Sequence, residues 1–303
     1  MQLRHLRYFI ALGRIGHFGR AAEACNVTQS TLSAALRQLE TEIGAPLIER
    51  DKRFKGLTAE GKVLLAWAAR VVAEREALDQ EIGLLRGELS GELSIGVVPT
   101  ALPTIGLVTT PLAQAHPNVT LRILSRSSNE IQQMLDDFVL DVGITYLDNE
   151  PLHGVDVFPL YVEHYILLTP EDGPFRGRTS VTWREAADTP LCLLTTDMQN
   201  RRILDAIFAS VDRIPNAHAE TNSVMTLCSH IRTGVWSSVL PHNFLWVFGT
   251  PPGMIALPLV EPERTFTIGV VVRRQDPVAP LVDAFVKAAL ASGIEARISP
   301  DSL

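Results

Sequence analysis

The sequence predicts an α+β multidomain protein, with a small helical N-terminal domain, one long helix and a larger α/β region. Three observations support this prediction. Apolar side chains recur at helical spacing through the first 40 residues, and one helical pattern then runs from about residue 58 to Gly87. Beyond residue 91, buried strand-like runs alternate with amphipathic helices, which is typical of α/β domains.

Two short helices joined by a polar corner are predicted within residues 18–40. Thr28 is suited to N-cap the second helix, because its hydroxyl can accept a hydrogen bond from an amide of the next turn. The second helix therefore begins near Gln29. Each helix has one apolar stripe, and the two stripes pack together as in a helix-turn-helix. The stripes consist of Phe18, Ala21, Ala22 and Cys25, and of Leu32, Leu36 and Leu39.

The outer face of the second predicted helix carries short or planar hydrogen-bonding side chains, namely Gln29, Ser30, Ser33 and Arg37. Such groups can reach base edges and phosphates in a major groove, so this face indicates DNA binding. Ordinary helical hairpins also have a polar outer face, and the spacing alone leaves that alternative open.

A β-hairpin, or wing, is predicted directly after these helices. Residues 44–50 and 55–58 are typical of short strands, and the basic tip between them contains Lys52 and Arg53. Residues 1–57 contain nine Lys and Arg against five Asp and Glu, a net charge of +4. The whole chain carries −7, so the other 246 residues carry −11. The positive charge is therefore concentrated where DNA phosphates would be contacted.

The first 65 residues resemble the N-terminal signature of LysR-type transcriptional regulators, and the likeness covers the whole chain in length and order of elements. The resemblance implies a winged helix-turn-helix DNA-binding domain over residues 1–57, with double-stranded promoter DNA as its partner. The matching residues are Leu3, Leu6, Phe9, Ala21, Ala22, Val27, Thr28, Gln29, Ser30, Ser33, Leu39, Glu40, Gly44, Leu47, Arg50, Leu57, Thr58 and Gly61.

The same resemblance implies which residues contact DNA. Positions 30 and 34, often Pro and Arg in the family, are Ser30 and Ala34 here, so we expect Arg37 to replace residue 34 in base contact. The resemblance places one group at the major groove and another near the DNA backbone or minor groove. The first group is Gln29, Ser30, Thr31 and Ser33, and the second is Arg50, Lys52 and Arg53.

A linker helix is predicted over residues 58–87, with Thr58 as its N-cap. Its apolar side chains recur at three- and four-residue steps, and nothing in its own domain covers them. Pairing with the same helix of a second subunit would bury them, so we expect a homodimer. Packing on the chain's own C-terminal domain is the alternative. The stripe consists of Leu64, Ala68, Val71, Leu78, Ile82 and Leu85.

One segment has the spacing of a phosphate-binding loop. It runs from Gly56 through Gly61 to Lys62, but Val63 stands where such a loop has the Ser or Thr that holds magnesium. We therefore expect no bound nucleotide and no cofactor.

The cysteines and histidines give no sign of a metal site or a catalytic centre. Cys25, Cys192 and Cys228 lack metal-ligand spacing and lie in apolar runs, so we expect buried thiols. A redox switch joining Cys192 and Cys228 is the alternative. The sequence contains neither a His-Glu-x-x-His nor a Gly-x-Ser-x-Gly motif, so no residue is assigned a catalytic role.

The C-terminal region exceeds the usual size of one open sheet, which indicates two subdomains. The resemblance implies a periplasmic-binding-protein-like two-lobed α/β domain whose crossing strands lie near residues 161–164 and 264–267. Effector-binding lobe 1 would then comprise residues 91–162 plus 267–303, and lobe 2 residues 163–266.

A cleft between the lobes, bordered by strand carboxyl ends and helix amino ends, suits a small organic anion as effector. Arg201 is the favoured carboxylate partner, because a guanidinium offers two parallel donors. The alternative is that these polar groups only cap helices and that the Arg201 side chain is solvated. The candidate effector residues are Pro99, Thr100, Ser127, Ser128, Asn129, His164, Thr195, Thr196, Asn200, Arg201 and Ser223.

The combined features predict a ligand-responsive transcriptional regulator under allosteric control. A signal peptide and an apolar run near membrane-spanning length are both missing, so we expect a cytoplasmic protein without membrane contact. The family resemblance adds a tetramer and contact with RNA polymerase as expectations. The competing class is an α/β enzyme or solute-binding protein that acts on a small carboxylate.

Overall fold

The structure is a computed structural model that describes residues 1–50 and 54–299. The chain divides into two compact units, Met1–Gly87 and Glu88–Leu303. Both are built as the sequence predicts, the first from helices with a short hairpin and the second from alternating strands and helices.

Three helices form the head of the N-terminal unit: α1 (Leu3–Ile15), α2 (Phe18–Ala24) and α3 (Gln29–Ile43). The hydroxyl of Thr28 accepts a hydrogen bond from the Thr31 amide at 3.2 Å, so α3 begins at the predicted residue. Both predicted apolar stripes contribute to the core, which contains Leu6, Phe9, Leu12, Ala21, Ala22, Leu32, Leu36 and Leu39. The predicted helix-turn-helix is confirmed.

The wing is an antiparallel hairpin of β1 (Ile48–Arg50) and β2 (Phe54–Leu57). Strand β1 starts later than the predicted residue 44, because the chain first turns past Gly44, whose φ of +78° ends α3. The Leu47 amide donates to the Glu40 carboxylate at 3.1 Å and fixes this turn to the head.

Helix α4 (Ala59–Leu85) is the predicted linker helix, and the Thr58 hydroxyl accepts from the Gly61 amide at 3.0 Å. A Cβ at Gly61 would collide with the Leu47 carbonyl, so only glycine permits this close approach of the helix to the wing. Ala68 is buried within the unit. Much of the helix leaves apolar side chains exposed: Val63, Trp67, Val71, Leu78, Ile82, Leu84 and Leu85.

The C-terminal unit is organised around one sheet in the order β4-β3-β5-β12-β6-β11-β7, with β10 also paired to β6. A separate parallel pair consists of β8 and β9. The strands are β3 (Gly91–Val97), β4 (Val119–Ser125), β5 (Val142–Tyr146), β6 (Val155–Pro170), β7 (Val181–Thr182), β8 (Leu191–Leu194), β9 (Ala217–Thr221), β10 (Ser238–Pro241), β11 (Met254–Val260) and β12 (Thr265–Arg273).

The long strand β6 belongs to both halves of this unit. Its first part pairs with β12 as far as His164, which lies opposite Thr265. From Tyr165 onward it pairs with β10 and β11 instead. The change of partner falls at the predicted crossing, while the predicted lobe boundaries stay a prediction.

Eight helices cover the strands of this unit in the described part of the chain. The elements β7, α10 and α12 span two to five residues, a length too short for apolar periodicity to reveal them in the sequence. The helices are α5 (Gly106–Ala115), α6 (Ser128–Asp136), α7 (Trp183–Ala187), α8 (Gln199–Ser210), α9 (Val224–Ile231), α10 (Phe244–Phe248), α11 (Pro280–Ala291) and α12 (Ile294–Arg297). Across residues 1–50 and 54–299, no helix has the length and apolar character needed to cross a membrane.

Candidate DNA interface and effector cleft

The outer face of α3 is the candidate DNA interface. Gln29, Ser30, Thr31 and Arg37 are exposed, and Ser33 is half-buried beside the buried Leu32. Packing of the apolar stripe on the head therefore turns the predicted recognition residues outward. Lys52, Arg53 and the side chain of Arg50 lie outside the described residues, so their predicted backbone contacts stay a prediction.

Two hydroxyls of this interface are oriented by the N-cap. The Thr28 hydroxyl lies 2.8 Å from the Ser30 hydroxyl and 2.9 Å from the Thr31 hydroxyl, besides accepting from the Thr31 amide. A hydroxyl can both donate and accept, so each of the three keeps capacity for a further partner. These hydrogen bonds hold the start of α3 in one arrangement before any contact with DNA.

A cleft of about 1020 Å³ is the candidate effector site of the C-terminal unit. One wall follows the carboxyl ends of the parallel strands β3 and β4, and the opposite wall follows those of β8 and β9. Ligands of α/β sheets bind at such strand ends, where helix amino termini also point. The first wall includes Pro99, Ser125, Arg126, Ser127, Asn129 and Glu130, and the second Asp197, Met198, Arg202, Asn222, Ser223 and Met225.

Four predicted effector residues line this cleft: Pro99, Ser127, Asn129 and Ser223. The Ser127 hydroxyl N-caps α6, and the Ser127 amide donates to Glu130 at 2.8 Å in a capping box. The Ser223 hydroxyl N-caps α9 by accepting from the Thr226 amide at 3.3 Å. Both serines therefore cap helices and also line the cleft, so their contact with an effector stays a prediction.

Arg201 does not face the cleft, and the expectation that it binds a carboxylate there is wrong. Its guanidinium is buried and bonded inside the protein, with Nε donating to Asp205 at 2.9 Å and Nη1 donating to Glu220 at 2.5 Å. Nη1 also donates to the Leu194 carbonyl at 2.9 Å. These partners occupy Nε and Nη1, so the guanidinium cannot offer two parallel donors to an effector carboxylate.

Arg202, the next residue, lines the cleft instead. Its Nε and Nη2 donate to the two carboxylate oxygens of Glu150 at 2.7 and 2.9 Å, and Nη2 also donates to Ser128 at 3.3 Å. Arg126 is the second arginine of the cleft, and it donates to the Ser125 carbonyl at 2.8 Å. Sequence reasoning missed both, although the adjacent arginines 201 and 202 were a signal that either one could face the site.

Thr100 and Asn200 belong to a buried polar network rather than to the cleft wall. The Tyr146 hydroxyl lies at its centre, 3.0 Å from the Thr100 hydroxyl, and accepts from Asn200 Nδ2 at 3.1 Å. It donates to the Glu163 carboxylate at 2.7 Å. Burial raises the pKa of Glu163 from 4.5 to about 8, although the hydrogen bonds from Tyr146 and Asn243 act in the opposite direction.

Asn243 connects this network to a second chain segment. Its Nδ2 donates to the Thr100 carbonyl at 3.1 Å, to the Tyr161 hydroxyl at 3.0 Å and more weakly to Glu163 at 3.4 Å. The Asn243 Oδ1 atom is buried and has no partner among the described residues. Sequence reasoning did not find this network, because its members come from five separate stretches of chain.

The remaining candidates lie near the cleft without lining it. The His164 amide donates to Nδ1 of the buried His242 at 3.1 Å, and burial, helped by His164, lowers the pKa of His242 to about 4. The Thr195 hydroxyl is buried without a described partner. The Thr196 carbonyl accepts from Arg202 at 3.4 Å. We therefore assign none of His164, Thr195 and Thr196 to direct effector contact.

The three cysteines are free thiols, and Cys192 and Cys228 are buried. Burial raises the pKa of Cys25 and Cys192, and raises that of Cys228 to about 11. A thiolate is the reactive form, so these environments oppose oxidation. Cys192 and Cys228 belong to one small apolar cluster, where both are buried. Within residues 1–50 and 54–299, no group of His, Cys, Asp and Glu side chains is arranged to hold a metal ion.

The helix-turn-helix head and the α/β unit with its cleft define a class of protein, the DNA-binding regulators that carry a separate ligand-binding domain. Two family models match the chain. The model of the bacterial regulatory helix-turn-helix protein, lysR family, matches residues 3–62, and that of the LysR substrate binding domain matches residues 86–293. The chain belongs to the family of LysR-type transcriptional regulators, which bind DNA and are not enzymes.

Curated relatives cover nearly the whole chain. The DNA-binding transcriptional dual regulator OxyR of Escherichia coli K12 is 32% identical over 98% of this chain and 96% of its own length. A hydrogen peroxide-inducible genes activator of Haemophilus influenzae is 28% identical over the full length of both chains. The family and the named relatives exclude the alternative of an enzyme, and they favour a regulator over a solute-binding protein.

Solved structures share the fold of the whole chain. A full-length OxyR from Pseudomonas aeruginosa, carrying a cysteine-to-aspartate substitution, has a TM-score of 0.77 and 25% identity, covering 98% of this chain and 97% of that one. Full-length CbnR in complex with its target DNA has a TM-score of 0.67 at 20% identity, covering 96% of this chain and all of that one. The predicted multidomain fold is confirmed.

Proposed function

We propose that the cleft binds a small organic anion and that this binding changes how the N-terminal unit engages promoter DNA. The observation that carries the proposal is the cleft itself, which combines two arginines with serine hydroxyls at helix amino ends. Helix α8 supports it, because Met198 at its N-cap provides no side-chain hydrogen bond to the first amides. Uncapped helix amides favour a negatively charged group.

The charges of the cleft favour an effector with one carboxylate. Glu130 is bonded to Ser127, and Arg202 is bonded to Glu150, so Arg126 is the cation with the fewest partners in the cleft. An incoming carboxylate would pair with Arg126 or replace Glu150 at Arg202. Asp197 lies on the opposite wall and would repel a second negative charge.

The DNA-binding side of the proposal rests on α3. Gln29, Ser33 and Arg37 present amide, hydroxyl and guanidinium groups, which are the side chains that read base edges in the major groove. Arg50, Lys52 and Arg53 would contribute phosphate contacts from the wing, which position a protein without reading sequence.

We further propose that the exposed apolar side chains of α4 pair two subunits and that two such dimers form a tetramer. Burial of apolar surface contributes about 25 cal/mol per Å², so covering a stripe of several leucine-sized side chains can hold a dimer together. The effector must bind two arrangements of the protein unequally, since otherwise it shifts no equilibrium.

A response to hydrogen peroxide is the second candidate, because the curated relatives are named as hydrogen peroxide-inducible activators. Their names do not support an organic acid. The thiols of this chain nevertheless argue against peroxide chemistry, because burial raises the pKa of all three. Reversible binding of a small anion is placed first because the arginines and serine hydroxyls that line the cleft give it a geometric basis.

Thermal unfolding of the full chain separates the two candidates. We expect acetate or pyruvate, each with one carboxylate, to raise the melting temperature in a saturable way, the dicarboxylate succinate to have a weaker effect, and Arg126→Gln to abolish the shift. Arg122→Gln is the matched control, because Arg122 is exposed on β4, the strand that Arg126 directly follows, and does not line the cleft. Thermal stabilisation of this kind follows from binding to the folded state alone.

Dilute hydrogen peroxide provides the opposing arm of the same experiment. We expect mass spectrometry of the native protein to show no oxidised cysteine and DNA binding to stay unchanged. Stoichiometric oxidation of Cys192 or Cys228 together with altered DNA binding, and no shift with any acid, would replace the anion proposal with the peroxide one.

A further inference from the structure

A second cavity, of about 380 Å³, lies beside the cleft and is not explained by the proposed function. It is enclosed by α9, by α10 and by the loop at residues 250–252. Cavities that hold small ligands begin near this size and are mostly apolar with a few polar groups. We refer to it as the side pocket.

The walls of the side pocket are apolar and partly flat. Phe244 and Phe248 form one wall, and their rings stack with centroids 4.7 Å apart and an interplanar angle of 27°. Pro251 and Pro252 contribute further apolar surface to the lining, and the Cys228 side chain adds a small apolar group. These surfaces suit an aromatic ring or a compact aliphatic group.

One cation lines this pocket. Arg232 caps the carboxyl end of α9 and is exposed, and its guanidinium has no ion pair or side-chain hydrogen bond with the described residues. The described lining contains no carboxylate, and its other polar side chains are the hydroxyls of Ser229 and Thr250. A guanidinium beside apolar walls is complementary to a ligand with one negative charge and one apolar body.

We propose that the side pocket binds a small apolar monocarboxylate, with the ring or chain against the phenylalanine pair and the carboxylate on Arg232. Met225 and Phe248 line both the side pocket and the cleft. A ligand in the side pocket therefore contacts two side chains that shape the cleft, and it changes the affinity of the cleft for its own anion. This proposal does not depend on which effector the cleft takes.

Titration calorimetry of the full chain with phenylacetate tests the proposal, with phenylacetamide as the uncharged ligand of nearly equal shape. We expect saturable binding of phenylacetate with a millimolar or tighter dissociation constant and no saturable binding of the amide. Arg232→Gln should weaken binding about tenfold, as expected for the loss of one charge-assisted hydrogen bond. Ser229→Trp, which places an indole in the pocket, should abolish it.

Two controls assign the binding to this cavity. Arg213→Gln removes an exposed arginine that does not line the pocket, and Arg126→Gln removes one of the two arginines of the cleft. Neither should change the affinity for phenylacetate. The absence of saturable binding to the wild type, equal binding of the amide, or a loss caused by Arg126→Gln rather than Arg232→Gln would overturn the proposal.

Sedimentation velocity without ligand adds one more check on the pocket. If Ser229→Trp dissociates an oligomer, the pocket is a contact between subunits and is rejected as a ligand site.

Discussion

Arg202 and Glu150 form a bidentate ion pair, with Nε 2.7 Å from Oε1 and Nη2 2.9 Å from Oε2. The pair joins α8 to the segment after β5, and the hydroxyl of Ser128, at the start of α6, bonds both partners. Both side chains are about 30% exposed, at 31% and 27%. The cleft is thus bridged by protein charges at the place where the proposed anion would bind.

This bridge predicts a measurable coupling between the two residues. A double-mutant cycle with Arg202→Gln and Glu150→Gln, measured by urea unfolding, should give about 1 kcal/mol, because partial exposure and solvent screening reduce the value of an ion pair. The same cycle on Arg274 and Asp156, a more exposed pair at 3.0 Å, should give less. A coupling of zero for Arg202 and Glu150 would contradict the bridge.

The buried carboxyl of Glu163 predicts a dependence of stability on pH. Its pKa is raised in the folded protein, from 4.5 to about 8, so its protonated form is favoured by folding. The contribution of Glu163 to the free energy of unfolding is therefore fully present below about pH 4.5, and it is lost as the pH rises toward 8.

Glu163→Gln removes this titration while keeping the shape of the side chain. The free energy of unfolding of the wild type, relative to the variant, should fall with rising pH by at most about 1.4 kcal/mol per pH unit. Chemical unfolding at intervals from pH 5 to 8 measures the difference, and two parallel profiles would show that the carboxyl of Glu163 titrates normally.

The hydroxyl of Ser33 should contribute to sequence recognition. Ser33→Ala is expected to weaken binding to the specific operator by about 1–3 kcal/mol and to leave non-specific binding nearly unchanged. Thr41→Ala is the control on the same helix, because the Thr41 hydroxyl donates to the Arg37 carbonyl. Fluorescence anisotropy with operator and scrambled duplexes gives both affinities, and equal losses on the two would refute the role of Ser33.

The wing should contact phosphates through Arg53, a prediction that rests on the sequence alone. Arg53→Ala is expected to lower the affinity for all duplexes and to reduce the slope of log K against log salt by about one. Lys287→Ala, in the C-terminal unit, is the control for net charge. An unchanged slope would mean that the wing does not touch the DNA backbone.

Local chemistry allowed much of the fold to be predicted. The start of α3 depends on the Thr28 hydroxyl and the amide of Thr31, three residues away, so one short stretch of sequence contains both partners. The same holds for Thr58 and Gly61 at the start of α4. Apolar periodicity placed the longer strands and helices, because each of them buries one face.

The cleft was less predictable, and the two neighbouring arginines show why. Successive residues of an α-helix point about 100° apart, so Arg201 and Arg202 necessarily face different surroundings. Arg201 meets Asp205 and Glu220, whereas Arg202 meets Glu150 from more than fifty residues upstream. Both residues are arginine, so the sequence alone gives no reason to place one of them, rather than the other, in the cleft.

The sequence by itself determined that this chain has a DNA-reading head, a linker helix and an α/β ligand domain, because capping, periodicity and charge distribution act over a few residues. Only the tertiary structure decided which polar groups face the cleft and which are enclosed around Glu163. Those positions depend on which distant segments meet: Asn243 reaches the carbonyl of Thr100 across 143 positions of chain. No local pattern encodes such a contact, since it exists only after the apolar faces of the separate elements have packed.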